Sequence, residues 1–442
     1  MICVSIIIPV YNSANYLRNT LDSICNQKFP TGNYEIICVD DGSKDGSVDI
    51  LKEYATAYPN LQVLYQKDKT DGAGAARNMG MHMASGEYIT FIDADDFADP
   101  DMLKLTYEKA READVDILMF DAWKYDDVKK EDLIFGDALV TDYLPLDDIF
   151  DPHDYPDMIF KMTHGAVWGR LFKRDFVQAI NLEFFDCHYW DDIEFFYPAI
   201  CMASKVCVMR KRLLHYRWNA TGNQSSQFMC HPEIGYTATY EIRRRFELYG
   251  IWELYKRGAI NCLLMRAFWV LENITNPLAF DHLWSAMKKE YLEKIGAYEI
   301  SDYEYDSKKV LISRNLMRDS DSSLDYLLKI KTVEHNEKEC FIYNLLSKIS
   351  KEESLCIYGA GKVGKRIFSY LIDAPDINLI GWTDRKYTEI GFPLLSVDKM
   401  INMKPDRIIV AIDSEITALK VKYELVSYGI KEKSIILSRD LL

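Results

Sequence analysis

The first 120 residues switch repeatedly between short β-branched runs and segments of helical spacing, and carboxylates sit where the runs end. Residues 4–8 form a continuous apolar run, the pattern of a strand buried on both faces. Leu17, Leu21 and Ile24 follow at helical spacing. Residues 34–39 form a second run, which leads into Asp40-Asp41-Gly42-Ser43. Val48, Leu51 and Tyr54 predict the next helix, with Ser47 as its N-cap. Residues 61–65, 88–92 and 117–120 read as further strands. Asp99-Pro100 reads as the N-cap and first-turn proline of a helix ending near Ala113. This order predicts an α/β fold with a mostly parallel sheet covered by helices. Such sheets bind ligands beyond the carboxyl ends of their strands. Asp40-Asp41 and the cluster from Asp93 to Asp96 occupy those ends.

The pattern divides the 442 residues into three expected segments: 1–218, 219–351 and 352–442. In the middle one, residues 234–249 and 251–274 read as helices. Its apolar stripe of Leu263, Leu264, Phe268, Val270 and Leu271 predicts helix–helix core, with acceptor or membrane contact as the weaker alternative. No catalytic motif is legible there. Strand–helix alternation returns after Glu353 and predicts a small Rossmann-like domain.

Charged residues make up 27% and hydrophobic ones 48%, the balance of a soluble globular chain. A net charge of −15 argues against nucleic acid as a partner, because phosphate backbones select surplus Lys and Arg. The ten cysteines include no C-x-x-C pair and read as reduced, mostly buried thiols. The first six residues read as a strand, not a signal peptide, and no apolar run reaches the ~18 residues of a membrane span. The expectation is a cytoplasmic protein, with peripheral contact at the inner membrane face left open, as is a homo-oligomer through the middle helices.

Asp93-Ala94-Asp95-Asp96 closes the strand of residues 88–92. Two carboxylates separated by a small residue can face one hard divalent cation, and acidic triplets at strand ends also serve as helix caps. Three more segments narrow the reading. They are Val4-Ser5-Ile6-Ile7-Ile8-Pro9-Val10-Tyr11-Asn12, Val39-Asp40-Asp41-Gly42-Ser43, and Gly74-Ala75-Ala76-Arg77-Asn78. In this order and spacing the four resemble glycosyltransferase family 2, the inverting enzymes of the GT-A type fold. The resemblance covers about residues 3–217.

The resemblance implies a nucleotide-sugar donor, a Mn2+ or Mg2+ ion on its diphosphate, and a glycan, polyol-phosphate or lipid-linked acceptor of bacterial surface polysaccharide. Pro9, Tyr11 and Asn12 match the loop along the nucleotide, Asp41 with Asp40 the carboxylates at the base, and Arg77 the nucleotide-site arginine. Asp93, beside Ala94, matches the ribose or metal contact, and Asp95 the direct metal ligand. Asp191-Asp192, in Tyr189-Trp190-Asp191-Asp192-Ile193-Glu194-Phe195-Phe196, resembles the family's E-D-x-x-F/W segment and makes Asp192 the general base. Asp191 stands where Glu is commoner. Leu214-His215-Tyr216-Arg217-Trp218 with Gln224-Ser225-Ser226 resembles the loop that closes on the diphosphate, with Arg217 on phosphate and His215 as a third metal ligand. Trp168 matches an acceptor-side aromatic position, and core packing explains it as well. Asp45 reads as a helix cap.

In the last segment Gly359-x-Gly361-x-x-Gly364 follows a strand and opens a helix, and Asp384 lies 20 residues further on. That is the dinucleotide fingerprint in its proper context. It supports an alternative reading: an NAD(P)- or sugar-nucleotide-binding oxidoreductase or regulatory protein acting through this domain. At about 90 residues the domain is short for a complete oxidoreductase, and its similarity is to small accessory nucleotide-binding domains of polysaccharide synthesis.

Overall fold

The computed structural model describes residues 2–66, 72–136, 138–185, 191–218, 234–350, 352–372, 374, 377–385, 394–412 and 414–441. The chain forms two compact units, Met1–Ser323 and Leu324–Leu442.

The first unit is built on a large mixed sheet. Its opening half is parallel and runs β3 (Leu61–Tyr65), β2 (Tyr34–Asp40), β1 (Val4–Val10), β4 (Tyr88–Phe91). The β-branched run of β1 lies between β2 and β4 with Ile6, Ile7 and Ile8 fully buried, which is why that stretch carries no alternation. Three helices make the crossovers: α1 (Ala14–Cys25), α2 (Ser47–Ala57) and α3 (Gly74–Met83). Beyond β4 the sheet becomes mixed. The short β5 (Phe97–Ala98) and α4 (Met102–Ala113) precede β6 (Ile117–Asp126), β7 (Glu131–Ile134) and β8 (Ile149–Phe150). Then β9 (Arg170–Lys173) inserts antiparallel between β4 and β6, and β10 (Val206–Trp218) runs parallel to β6. The expected parallel order therefore holds where the acids cluster. The insertion of β9 is long-range and leaves no local signal.

Two helix starts differ from expectation. Gly46, not Ser47, occupies the cap position of α2, and Asp45 accepts the Ser47 N–H at 2.9 Å. Asp101 precedes α4, while the Asp99 carbonyl accepts the Met102 N–H. In both cases a neighbouring acceptor satisfies the first turn.

The helices α5 (Arg174–Ala179) and α6 (Asp191–Met202) lie between β9 and β10 in sequence. Next come α7 (Ile234–Leu248), α8 (Trp252–Asn273), α9 (Pro277–Ala286) and α10 (Lys308–Asp319). These pack within the first unit, with α7 on α6. The stripe of Leu263, Leu264, Phe268, Val270 and Leu271 is at most 2% exposed, so it is core. Among the described residues no helix is long and apolar enough to cross a membrane.

The second unit opens with α11 (Ser323–Leu346), whose Phe341 and Leu345 pack on β11 (Ser354–Tyr358). The elements α12 (Lys362–Leu371), β12 (Asn378–Thr383), α13 (Val397–Met403), β13 (Arg407–Val410), α14 (Glu415–Ser427) and β14 (Ile435–Leu437) complete it. Its four strands are all parallel, in the order β12-β11-β13-β14.

Candidate active site

The ends of β1 and β2 are clasped together. The Asn12 N–H donates to Ser43 Oγ at 3.0 Å, and the Lys44 N–H donates to Asn12 Oδ1 at 2.8 Å. Asn12 holds a positive φ of 47°, a conformation that Asn tolerates better than most side chains. The pairing of β1 with β4 stops at Ile7, so Pro9 lies past that ladder, where a missing N–H is tolerated. The buried Asp40 accepts the Gly42 and Ser43 N–H groups at 3.2 Å each. Asp41 is also buried, and its own N–H donates to the Val10 carbonyl. Tyr11 is half-buried.

Arg77 is the hub. It lies on α3, is 5% exposed, and donates Nη1 to Asp191 Oδ2 at 2.5 Å and Nη2 to Asp93 Oδ1 at 2.7 Å. Its guanidinium rests over the Phe184 ring, 5.4 Å from the centroid. Burial works against this cation, but Asp191, Asp93 and Asp192 outweigh burial and keep it charged. The first acid of the D-x-D segment and the first acid of α6 are thus joined by one side chain. Burial raises the Asp191 carboxyl, and Arg77 opposes that rise. Asp192, next to it and partly accessible, is pushed up to about 7, first by burial and then by Asp191. A carboxyl poised near neutrality is matched to accepting a proton at physiological pH.

Neighbours that sequence reasoning assigned no role hold this cluster. Asn78 donates Nδ2 to the Phe184 carbonyl at 2.9 Å and accepts the Phe184 N–H at 2.8 Å. Phe184 stacks on Phe195 of α6 with centroids 4.0 Å apart. Glu194, fully buried, accepts the Phe185 N–H at 2.9 Å and pairs with Arg245 of α7. Burial raises the Glu194 carboxyl to about 8. The signal was an acid set in the apolar run that follows Asp192 in α6; its partner lies too far along the chain to be read. Tyr189 and Trp190 lie outside the described residues, as do Gln224, Ser225 and Ser226.

Asp95 is raised to about 6 by burial first and by Asp93 second. Asp96 is fully buried and accepts the Arg217 N–H at 2.8 Å. Ala94 is buried, and its carbonyl accepts the Thr20 hydroxyl at 2.8 Å. Arg217 donates Nε to the Asp95 carbonyl at 2.6 Å, Nη1 to Asp127 at 2.5 Å and Nη2 to Asn19 at 2.7 Å. Its side chain is 6% exposed, with the guanidinium near the rings of Tyr16, Phe97 and Tyr125. In this arrangement Arg217 braces the D-x-D loop. His215 sits 2.7 Å from Asp132 and 3.5 Å from Asp99, with its ring stacked on Phe97. Among the described residues, no three His, Cys, Asp or Glu groups form a ready-made metal cage.

Trp168 is 5% exposed and stacks between Tyr216 and His164. The structure gives its indole to the core, while His164 forms the accessible end of the column. Arg170, on β9, is fully buried, donates to the Gly169 carbonyl at 2.8 Å and bonds Thr163. Burial lowers its pKa to about 9.

In the second unit the glycine turn forms as expected between β11 and α12. Gly359 has φ +111°, and a Cβ there would meet the Ala411 carbonyl oxygen at 2.6 Å. Gly361 caps α12 and Gly364 packs against Gly359. Asp384 accepts the Ala360 N–H at 2.7 Å, so the acid hydrogen-bonds the turn itself.

A parallel half-sheet with acids at its strand ends and a basic hub between them marks an α/β protein with a GT-A type fold. The glycosyl transferase family 2 pattern matches residues 5–137. YibD of Escherichia coli, an uncharacterized glycosyltransferase, is 30% identical over 239 residues, 51% of this chain and 67% of its own length. The poly(ribitol-phosphate) beta-glucosyltransferase of Bacillus spizizenii is 44% identical over 116 residues, 26% of this chain. The chain spans only 18% of that enzyme's length. Among solved structures, S. aureus TarS 1–349 in complex with UDP-GlcNAc superposes with a TM-score of 0.58 at 18% identity, covering 76% of this chain and 92% of that one. That likeness is one of fold. The chain belongs to glycosyltransferase family 2.

Proposed function

We propose that this protein is an inverting glycosyltransferase. It moves a sugar from a nucleotide diphosphate, a UDP-sugar by preference, to a hydroxyl of a bacterial surface glycan, polyol-phosphate or lipid-linked acceptor, on the cytoplasmic side of the membrane. One observation carries the reading: Arg77 ties Asp93 to Asp191, which sets the metal-type acids beside a carboxyl held near 7.

Asp192 takes the acceptor proton, and Asp191 keeps its proton affinity high while Arg77 fixes Asp191. Asp40, Asp41, Pro9, Tyr11 and Asn12 form the nucleoside cradle. Asp95, with Asp93, fits a divalent cation. Asp95 is raised to about 6 by burial and by Asp93, a crowding of acids that a cation relieves. Mg2+ and Mn2+ suit a site with one or two carboxylates, the rest of the coordination coming from diphosphate and water. When bound, the ion would neutralise the leaving diphosphate. His215 would have to leave Asp132 to join it. Arg217 would have to exchange its brace for phosphate oxygens.

The similarity to a poly(ribitol-phosphate) transferase and the fold of a UDP-GlcNAc-bound structure support the choice of donor and acceptor class. A thermal-shift screen with UDP, GDP, CDP and NAD, each with and without Mn2+, tests it. Ligand that binds only the folded state raises Tm. A metal-dependent rise with one nucleoside diphosphate is expected. A rise with NAD alone would transfer the function to the second unit.

A further inference from the structure

The first helix, legible in the sequence only through its apolar stripe, grips the chain that carries the D-x-D acids. Thr20 and Ser23 of α1, three residues apart on one face, and Gln27 just past its end all bond the stretch that follows β4. The Thr20 hydroxyl donates to the Ala94 carbonyl at 2.8 Å, and the Ala98 N–H donates to Ser23 Oγ at 3.1 Å. Gln27 donates Nε2 to the Asp99 carbonyl at 2.7 Å and accepts the Leu103 N–H at 3.0 Å. A threonine inside a helix can turn its hydroxyl back on the carbonyl four residues before it. Here that Tyr16 carbonyl lies 3.5 Å away, and the single hydroxyl proton goes to Ala94. Thr20 is fully buried.

This contact bears on Asp95 through the backbone. The Ala94 carbonyl belongs to the peptide plane that carries the Asp95 N–H. The Asp95 carbonyl belongs to the next plane, and Arg217 Nε holds it at 2.6 Å. Both planes around the Asp95 Cα are therefore pinned, one from α1 and one from β10, which restricts its two soft dihedrals. The Asp96 N–H closes the turn on the Asp93 carbonyl at 3.0 Å. We propose that, on the reading of Asp95 and Asp93 as the acids that hold a divalent cation, Thr20 is a positioning residue of the cation site: its hydroxyl fixes the peptide plane that aims the Asp95 carboxylate. Gln27 anchors the far end of the same stretch and supplies the contrast, because its partners Asp99 and Leu103 lie beyond the acids.

Calorimetric titration of UDP into the full chain at a series of Mn2+ concentrations tests this. Thr20→Val keeps the volume but leaves the buried Ala94 carbonyl without its donor. The Mn2+ concentration for half-maximal UDP binding should rise about tenfold or more, the scale of a lost partner behind a metal-holding group. Thr20→Ser, which keeps the hydroxyl, should retain the unsubstituted dependence. Thr20→Cys, a weak donor of similar size, should fall between, and it reads the same shift if Thr20→Val does not fold. Gln27→Met should lower Tm with no shift in Mn2+ dependence. A Thr20→Val protein that loses Tm but keeps the unsubstituted Mn2+ dependence, or a Thr20→Ser protein that shifts as far as Thr20→Val, would overturn the inference and leave the metal reading intact. An equal shift in Gln27→Met would overturn it too, the effect then being general loosening. UDP binding by the unsubstituted protein that ignores Mn2+ would remove the metal reading and the role of Thr20 with it.

Discussion

Two strand ends in this molecule carry acids that a sequence pattern singles out, and they use them in opposite ways. At the end of β4 and the start of α6, Asp93, Asp191 and Asp192 crowd Arg77, Asp95 sits beside Asp93, and Asp95 and Asp192 are pushed toward neutrality. At the end of β12, Asp384 accepts the Ala360 N–H of its own glycine turn. Both sites have the right residues at the right spacing. The first concentrates like charge, which costs free energy and suits a cation, a diphosphate and a proton acceptor. The second spends its acid on holding the turn together. Spacing shows where a site could be built; the electrostatic load shows where chemistry is expected.

Removing the hub should have the largest effect. Arg77→Met strands Asp191 and Asp93 without their partner; losing one side of a buried pair costs about 3–5 kcal/mol. Urea unfolding of the variant should show that loss, and a loss under 1 kcal/mol would mean the acids are solvated and the load is small. Asp192→Asn should come next. Transfer should drop by roughly 10²-fold or more, with UDP binding kept, the scale of a lost general base. Turnover within a few-fold of normal would move the base to Asp191. The smallest effect belongs to the second unit. Asp384→Asn keeps an acceptor but loses its charge, worth about 1 kcal/mol, and should lower Tm slightly without changing transfer. Transfer that fell in step would end the contrast between the two sites.

Much of the first site was legible. The β-branched run of β1, the acids after β2 and β4, and the Gly-Ala-Ala-Arg-Asn segment each keep their chemistry within a few residues. The apolar stripe of α8 was also legible as core. What joins the pieces was not. Arg77 and Asp191 are 114 residues apart, and no local pattern states that they touch. Thr20 looks like an ordinary helical threonine until the Ala94 carbonyl is brought against it. Trp168 shows the converse: an aromatic residue at an expected contact position went to the interior because Tyr216, Phe135 and His164 complete a column around it.

The central claim is that Asp95 and Asp93 hold a cation that in turn holds the donor diphosphate. Calorimetric titration of UDP into the protein, with and without Mn2+, and into Asp95→Asn with Mn2+, tests it most directly. The account predicts metal-dependent binding that disappears in Asp95→Asn, because a neutral amide is a poor ligand for a hard cation. Equal binding by the variant, or by the unsubstituted protein without metal, would contradict it.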